Sequence, residues 1–179
     1  MRSLVVYESM YGNTRQIAEA IAAGLGEAGQ ASAIHVAEVN PAALAELGLL
    51  VLGGPTHAWG MTRPGTRKAA VAQADKAHLT VEGKADAPGI RELLAGLPRL
   101  ECPGAAFDTR LDAPVMFTGQ ASRSIAHHLR KHGVQVLDHR SFLVTRANKL
   151  RDDSELAKAR AWGVELTARR AKLVGTHHD

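Results

Sequence analysis

Cysteine is almost missing from this chain: Cys102 is the only one. A single thiol excludes an intramolecular disulfide and a cysteine-based zinc site, and it fits a reducing, cytoplasmic compartment. Aromatic residues are also scarce, at 4% of the sequence, too few for the stacking platform that single-stranded nucleic acid needs. No run approaches the roughly 20 apolar residues of a membrane span, so no membrane partner is expected. The opening "MRSLVVYESM" has an apolar run too short for a signal peptide, and no small-residue cleavage site follows it. Internal repeats and low-complexity tracts are absent, and no linker-like shift in composition marks a domain boundary.

What is present is an ordinary globular composition over 179 residues, with 45% apolar and 22% charged residues. That length suits one well-buried domain over 1–179, with a core through 173 and a frayed tail at 174–179. The net charge is +4 and the isoelectric point about 9.5. The cations are scattered, as in "RPGTRK" and "HHLRKH", which describes a solvated basic surface better than a nucleic-acid groove.

Apolar periodicity orders the chain. Residues 3–8 and 47–54 are short apolar runs that predict buried strands, and 31–37 predicts a weaker one. Between them, Ile17, Ile21 and Leu25 recur at helical spacing within 13–28. "NPAALAEL" predicts a short helix opened by Asn40 and Pro41. Further on, helices are predicted over 64–73 and 88–96, with 74–86 as loop. Strands follow at 103–108 and 134–145, the latter bent near Asp138. Ser122 is placed to cap a helix carrying Ile125 and Leu129. The chain ends in an amphipathic helix in which Asp152 and Glu155 have capping-box spacing.

Alternating strands and helices predict an α/β fold, a doubly wound parallel sheet of five strands in the order 2-1-3-4-5. Ligands of such sheets sit beyond the carboxyl ends of the strands, where the order reverses. Three loops then matter. In "ESMYGNT", Ser9, Asn13 and Thr14 offer polar side chains, and Gly12 lets backbone N–H groups turn inward. The following helix adds its positive end, and together these can hold a phosphate. No Gly-Lys-Ser/Thr or G-x-G-x-x-G is present. A plain turn capped by Asn13 or Thr14 is the alternative. In "GGPTHAWGMTRP", Gly53 and Gly54 permit close approach of a ligand and Pro55 stiffens the turn. Trp59 can lie against a planar ring or fold back onto the core. In "FDTRLDAP", Arg110 is a candidate anion partner or a surface arginine, and "TGQAS" adds a glycine turn nearby.

Ser-x-x-Gly-Asn-Thr after the first strand and Gly-Gly-Pro-Thr-His-x-Trp-Gly after the third make the chain resemble the flavodoxin family over nearly its whole length. The resemblance implies non-covalent FMN and electron transfer. It assigns the FMN phosphate to Ser9, Met10, Tyr11, Gly12, Asn13 and Thr14. It places the isoalloxazine against Trp59, framed by Pro55, Thr56, His57 and Gly60. The pyrimidine side falls to Phe107, Asp108, Thr109 and Arg110, where Arg110 would favour a reduced flavin anion. Flavodoxins that shuttle electrons are usually acidic, and this chain is basic, so the usual redox partners do not follow from the likeness. The third loop also lacks the tyrosine that often covers the flavin's outer face, and segment 61–100 is longer than in a minimal flavodoxin, as a lid or partner surface would be. A carrier is expected ahead of a small NAD(P)H- or quinone-linked reductase, since no dedicated nicotinamide motif is seen. A flavodoxin-fold binding module without FMN is the rival from another class. A phosphorylatable receiver domain needs paired acids after the first strand, where only Glu8 stands. His128 and His132 have the i,i+4 spacing of a metal pair, yet no carboxylate recurs with them or with His127. They are read as a solvated face, so no metal is expected. His57, in the second loop, is a candidate hydrogen-bond partner or proton relay.

Overall fold

Alternation along the first strand sets the layering. In the computed structural model, Leu4 and Val6 of β1 (Arg2–Tyr7) enter one buried cluster, and Val5 and Tyr7 enter another on the opposite face. The structure describes residues 2–44, 46–57, 59–76, 80–85 and 87–175. Helix α1 (Asn13–Gly26) follows, then β2 (Gln30–His35) and two short 3-10 turns, Val36–Glu38 and Pro41–Leu44. Asn40 Oδ1 accepts the Ala42 N–H at 3.1 Å, so the Asn-Pro signal opens a short helix as expected, of the 3-10 type.

β3 (Leu49–His57) runs beyond the paired glycines and folds back on β4 (Gly60–Met61) as an antiparallel hairpin, with His57 opposite Gly60. After it come α2 (Pro64–Lys76), α3 (Ile90–Ala95), β5 (Gly104–Leu111), the single turn α4 (Val115–Thr118), α5 (Ala121–Lys131), β6 (Val136–Val144) and α6 (Ser154–Gly175). The main sheet is parallel in the order β2-β1-β3-β5-β6, with β4 attached to β3. Leaving out the two-residue β4, this is the doubly wound order predicted from the sequence. β6 carries an extra residue at Leu137, since Gly104 and Ala105 face Val136 and Asp138. That bulge is the bend expected near Asp138.

One face of the sheet packs Leu50, Leu52, Ile90, Leu94, Ile125 and Leu129; the other packs Ile17, Ile21, Leu25, Phe107, Phe142 and Trp162. Both faces are covered, as parallel sheets require. Helix α2 extends to Lys76, three residues beyond the expected end. Of the expected loop 74–86, residues 77–79 and 86 lie outside the described residues. So do 176–179 of the expected tail, with His177 and His178, while helix continues through 174–175.

Two expected caps are built differently. Ser122 lies inside the first turn of α5, whose N-terminus is held by the Asp108 carboxylate. Asp152 accepts from the Ser154 N–H at 2.9 Å, but Glu155 does not reach back to it. Glu155 is buried and accepts from the Leu143 N–H at 2.8 Å and from Arg151 Nη2 at 2.8 Å. The first-turn acid of α6 thus ties that helix to the end of β6 instead of closing a solvent-exposed capping box. Among the described residues no helix is long and apolar enough to cross a membrane.

Candidate functional site

The carboxyl ends of β1, β3, β5 and β6 open onto a cavity of about 970 Å³, at the upper end of the range for small-molecule sites. Its walls come from the loop before α1, the end of β3, α2, the end of β5 and the loop after β6. Arg110 and Arg146 line it, and among the described residues no Asp or Glu does. The cavity is therefore suited to an anion.

The loop into α1 forms one end. Gly12 is the N-cap at φ +87, a left-handed conformation that favours glycine, and it supplies no side-chain cap. Asn13 and Thr14 stand inside the first turn and are occupied elsewhere. Asn13 Nδ2 donates to the Asn148 carbonyl at 2.9 Å, and the Thr14 and Thr109 hydroxyls are 2.7 Å apart. The capped-turn alternative thus lacks its cap: no side chain accepts from the first N–H groups of α1 among the described residues. Ser9 is buried and its Oγ accepts the Gly12 N–H at 3.1 Å, which fixes the loop. Tyr11 donates from its hydroxyl to the Ala70 carbonyl at 3.1 Å, and burial raises its phenol pKa. Met10 packs with Ala70 and Ala85. Segment 61–100 therefore forms a wall of the cavity, through Thr66, Ala69 and Ala70.

Below this loop, Glu8 is buried and anchors that wall. It accepts from the Ile90 N–H at 2.9 Å and from the Thr62 hydroxyl, with Arg67 Nη1 at 3.9 Å. Burial raises its pKa, the hydrogen bonds opposing. Glu8 fastens the start of α3 and the end of β4 to the first strand.

The second loop is a hairpin rather than a glycine-rich excursion. A Cβ at Gly53 would lie 2.1 Å from the Phe107 ring. The glycine is there for core packing, which corrects the expectation that it clears space for a ligand. A Cβ at Gly54 would make ordinary contacts at 3.6 Å with Glu8 and Ile90, so that glycine likewise faces protein. Pro55, Thr56 and His57 line the cavity, with Gly60 paired to His57. Burial lowers the His57 pKa and favours its neutral imidazole.

Trp59 is 67% exposed, so the alternative of an indole folded onto the core is excluded. Its backbone sits at φ +67, unusual for a bulky residue, and bridges to Gly119. At Gly119 a Cβ would come within 2.3 Å of the Trp59 backbone. The indole Nε1–H donates to the Met116 carbonyl at 3.4 Å. The "TGQAS" glycine is thus the seat of the Trp59 turn.

The third loop divides. Thr109 and Arg110 line the cavity, but Phe107 and Asp108 do not. Phe107 is fully buried, edge-on to Phe142 with ring centres 6.4 Å apart. Asp108 Oδ2 accepts from the Ser122 N–H at 2.8 Å and the Thr56 hydroxyl at 3.0 Å, and Thr56 Oγ1 accepts the Ala121 N–H at 2.9 Å. Along β5, alternate side chains turn to opposite faces and the helix start needs an acceptor, so both residues are scaffold. Burial raises the Asp108 pKa, these bonds opposing. Arg110 Nη1 is held by the Ala113 carbonyl at 2.7 Å, which aims the guanidinium along the cavity wall.

Sequence reasoning missed three contributors. Phe117 is 69% exposed and, with Thr56, Trp59, Leu111 and Thr118, lines a second cavity of about 190 Å³ beside the first. It ends the apolar run Val115–Met116–Phe117, where no polar or glycine-rich surrounding of the kind that marks Trp59 sets it apart. Arg146 and Asn148 come from the loop after β6, and only the strand order brings that loop to α1. As for the histidines, His128 Nδ1 lies 2.9 Å from the Ser124 carbonyl, and its ring is edge-on to His127. Among the described residues no three potential metal ligands gather.

Comparison with known proteins agrees with the topology. The flavodoxin family model matches residues 5–86. No curated protein gives a significant match. Among solved structures, a flavodoxin from the domain Archaea is 22% identical with a TM-score of 0.64, the match covering 96% of this chain and 99% of that one. Flavodoxin 1 from Bacillus cereus is 17% identical, also at TM-score 0.64, over 96% of this chain and 98% of its own. The flavodiiron protein from Giardia intestinalis is 19% identical at TM-score 0.60, covering 96% of this chain but only 36% of that protein. At these identities the structural matches establish the fold: the chain has the flavodoxin fold, and its residues 5–86 match the flavodoxin family model.

Proposed function

We propose that this chain binds FMN non-covalently in the large cavity and serves as an electron carrier. The observation that carries the reading is the uncapped start of α1 opening on a cavity lined, among the described residues, by two arginines and no carboxylate. Backbone N–H groups at a helix N-terminus hold a phosphate dianion well. Ser9, Met10, Tyr11, Gly12, Asn13 and Thr14 would hold that phosphate. Gly12 turns the chain, Ser9 fixes the turn, and Asn13 and Thr14 tie it to the loop after β6 and to β5.

At the other end, Trp59 and Phe117 offer flat faces to a planar ring. Phe117 stands in for the tyrosine that the third loop lacks. Pro55, Thr56, His57, Gly60, Thr109 and Arg110 would frame the ring's polar edge. His57 is kept neutral by burial and presents a hydrogen-bonding imidazole. Arg110 places a positive charge in the lining, which favours the negative charge gained on reduction and so raises the potential. Bound FMN would supply one- and two-electron redox chemistry. The protein orients it, shields one side with the sheet edge and leaves the aromatic side open to a partner.

Tryptophan fluorescence tests this. The second tryptophan, Trp162, is buried with its Nε1–H donating to Asp138 at 2.9 Å, so the response of Trp59 can be isolated by difference. Added FMN should quench the wild-type emission, and Trp59→Phe should lose most of that quenching. A wild-type emission indifferent to FMN would return the chain to the binding-module reading. Sustained oxidation of NAD(P)H by the FMN-loaded protein alone would make it a reductase.

A further inference from the structure

Among the described residues, five of the six exposed large hydrophobic side chains, Trp59, Leu111, Val115, Met116 and Phe117, gather at one edge of the molecule; the sixth, Val164, is on α6. The cavities account for Trp59, Leu111 and Phe117. They do not account for Met116 and Val115, which are 76% and 44% exposed and line neither. The single turn α4 presents both, and it is held in place by the Trp59 indole on the Met116 carbonyl and by the Phe117 N–H on the Pro114 carbonyl at 2.9 Å. Apolar side chains displayed outward on a pinned turn, beyond any small-molecule site, mark a contact for a macromolecule.

Charge says which kind. Arg63 precedes α2, and Arg146 and Lys149 stand in the loop after β6, at the same edge of the sheet. All three are exposed, and none forms an ion pair among the described residues. Of the exposed acids there, Asp112 and Asp152 lie 3.8 and 3.1 Å from Arg151, and Asp153 alone is left to set against the three cations. The apolar turn is therefore set among unpaired cations. A second copy of this chain would bring cations against cations. A bilayer would seal the mouth of the cavity.

We propose that the α4 turn, centred on Met116 and Val115 with Arg63, Arg146 and Lys149 around it, docks a redox protein whose contact face is apolar at its centre and acidic at its rim. This rests on the FMN reading for its purpose and reverses the polarity expected of an acidic carrier. Complementary charge steers such an encounter, and the buried apolar centre holds it.

The test uses the full chain without cofactor, so docking is measured apart from FMN binding. The probe is a plant-type [2Fe–2S] ferredoxin, an acidic one-electron protein, with cytochrome c as a basic control and phosphatidylcholine–phosphatidylserine vesicles as a lipid control. The ferredoxin should bind at low salt, release at high salt, and lose about fivefold or more in affinity with Met116→Ser and with Lys149→Glu. Lys131→Glu, the same charge change at the far end of α5, should leave binding within about twofold. Equal losses from Lys149→Glu and Lys131→Glu would reduce the effect to unspecific attraction and overturn the proposal. So would no ferredoxin binding, or Met116-dependent binding to vesicles instead. An FMN titration of Met116→Ser separates the two readings: normal FMN binding with failed docking removes only the surface, and failed FMN binding in the wild type removes the function.

Discussion

The two ends of the large cavity are built on opposite principles. At the α1 end the groups are in place: Ser9 and Thr14 are buried, and Ser9, Asn13 and Thr14 each have a protein partner. At the other end Trp59 and Phe117 stand two-thirds in solvent. A polar cradle must be prebuilt, because its donors are worth most when they need not reorganise. Apolar faces need no orientation until a ring arrives, and their exposure costs roughly 25 cal/mol per Å² of surface left wet. The polar end should therefore dictate which ligand binds, and the aromatic end how much tighter it is held.

Four substitutions sharpen or break that contrast. The largest effect is expected where a supposed ligand residue is really scaffold. Gly53→Ala drives a Cβ into the Phe107 ring, and overpacking of this kind should cost up to about 3 kcal/mol in urea unfolding. The folded fraction should keep its FMN affinity; a specific loss of affinity at unchanged stability would put Gly53 back in the site. Thr14→Ala removes a hydroxyl near the expected phosphate, and losing a hydrogen bond to a charged group costs roughly 1.5–3 kcal/mol. FMN binding should weaken accordingly while riboflavin binding is unmoved. Trp59→Ala should weaken both ligands by a similar factor, about 1 kcal/mol or somewhat more. If it discriminated between them, the division of labour between the ends would fail.

The smallest effect is on pH dependence. Burial holds the Asp108 pKa above the ordinary carboxylate value. Between that ordinary value, about 4, and the raised one, the folded state binds more protons than the unfolded state, so this residue removes stability as pH rises. Asp108→Asn keeps an oxygen for the Ser122 N–H and the Thr56 hydroxyl and cannot ionise. Its stability relative to wild type should increase from about pH 4 upward, followed by urea unfolding at stepped pH. A difference independent of pH would mean that Asp108 titrates normally.

How much of this was legible in the sequence depended on whether the cause was local. The strand order followed from alternating apolar periods, and the first loop followed from six consecutive residues. Trp59 was legible for the same reason, as a large aromatic among glycines. Gly53 misled because its partner, Phe107, lies 54 positions away on the neighbouring strand. Asp108 looked like a ligand because a carboxylate at a strand end also suits a site, and only the arrival of α5 shows which donor it serves. Arg146 and Asn148 reach the cavity through the turn after β6, a placement that no local pattern encodes.

The most direct measurement is a titration of the purified, cofactor-free protein with FMN and, in parallel, with riboflavin, which has the ring but not the phosphate. The account predicts a marked preference for FMN, with Thr14→Ala reducing that preference and Trp59→Ala leaving it intact. Equal affinity for the two flavins would contradict it, because the start of α1 would then not be holding a phosphate.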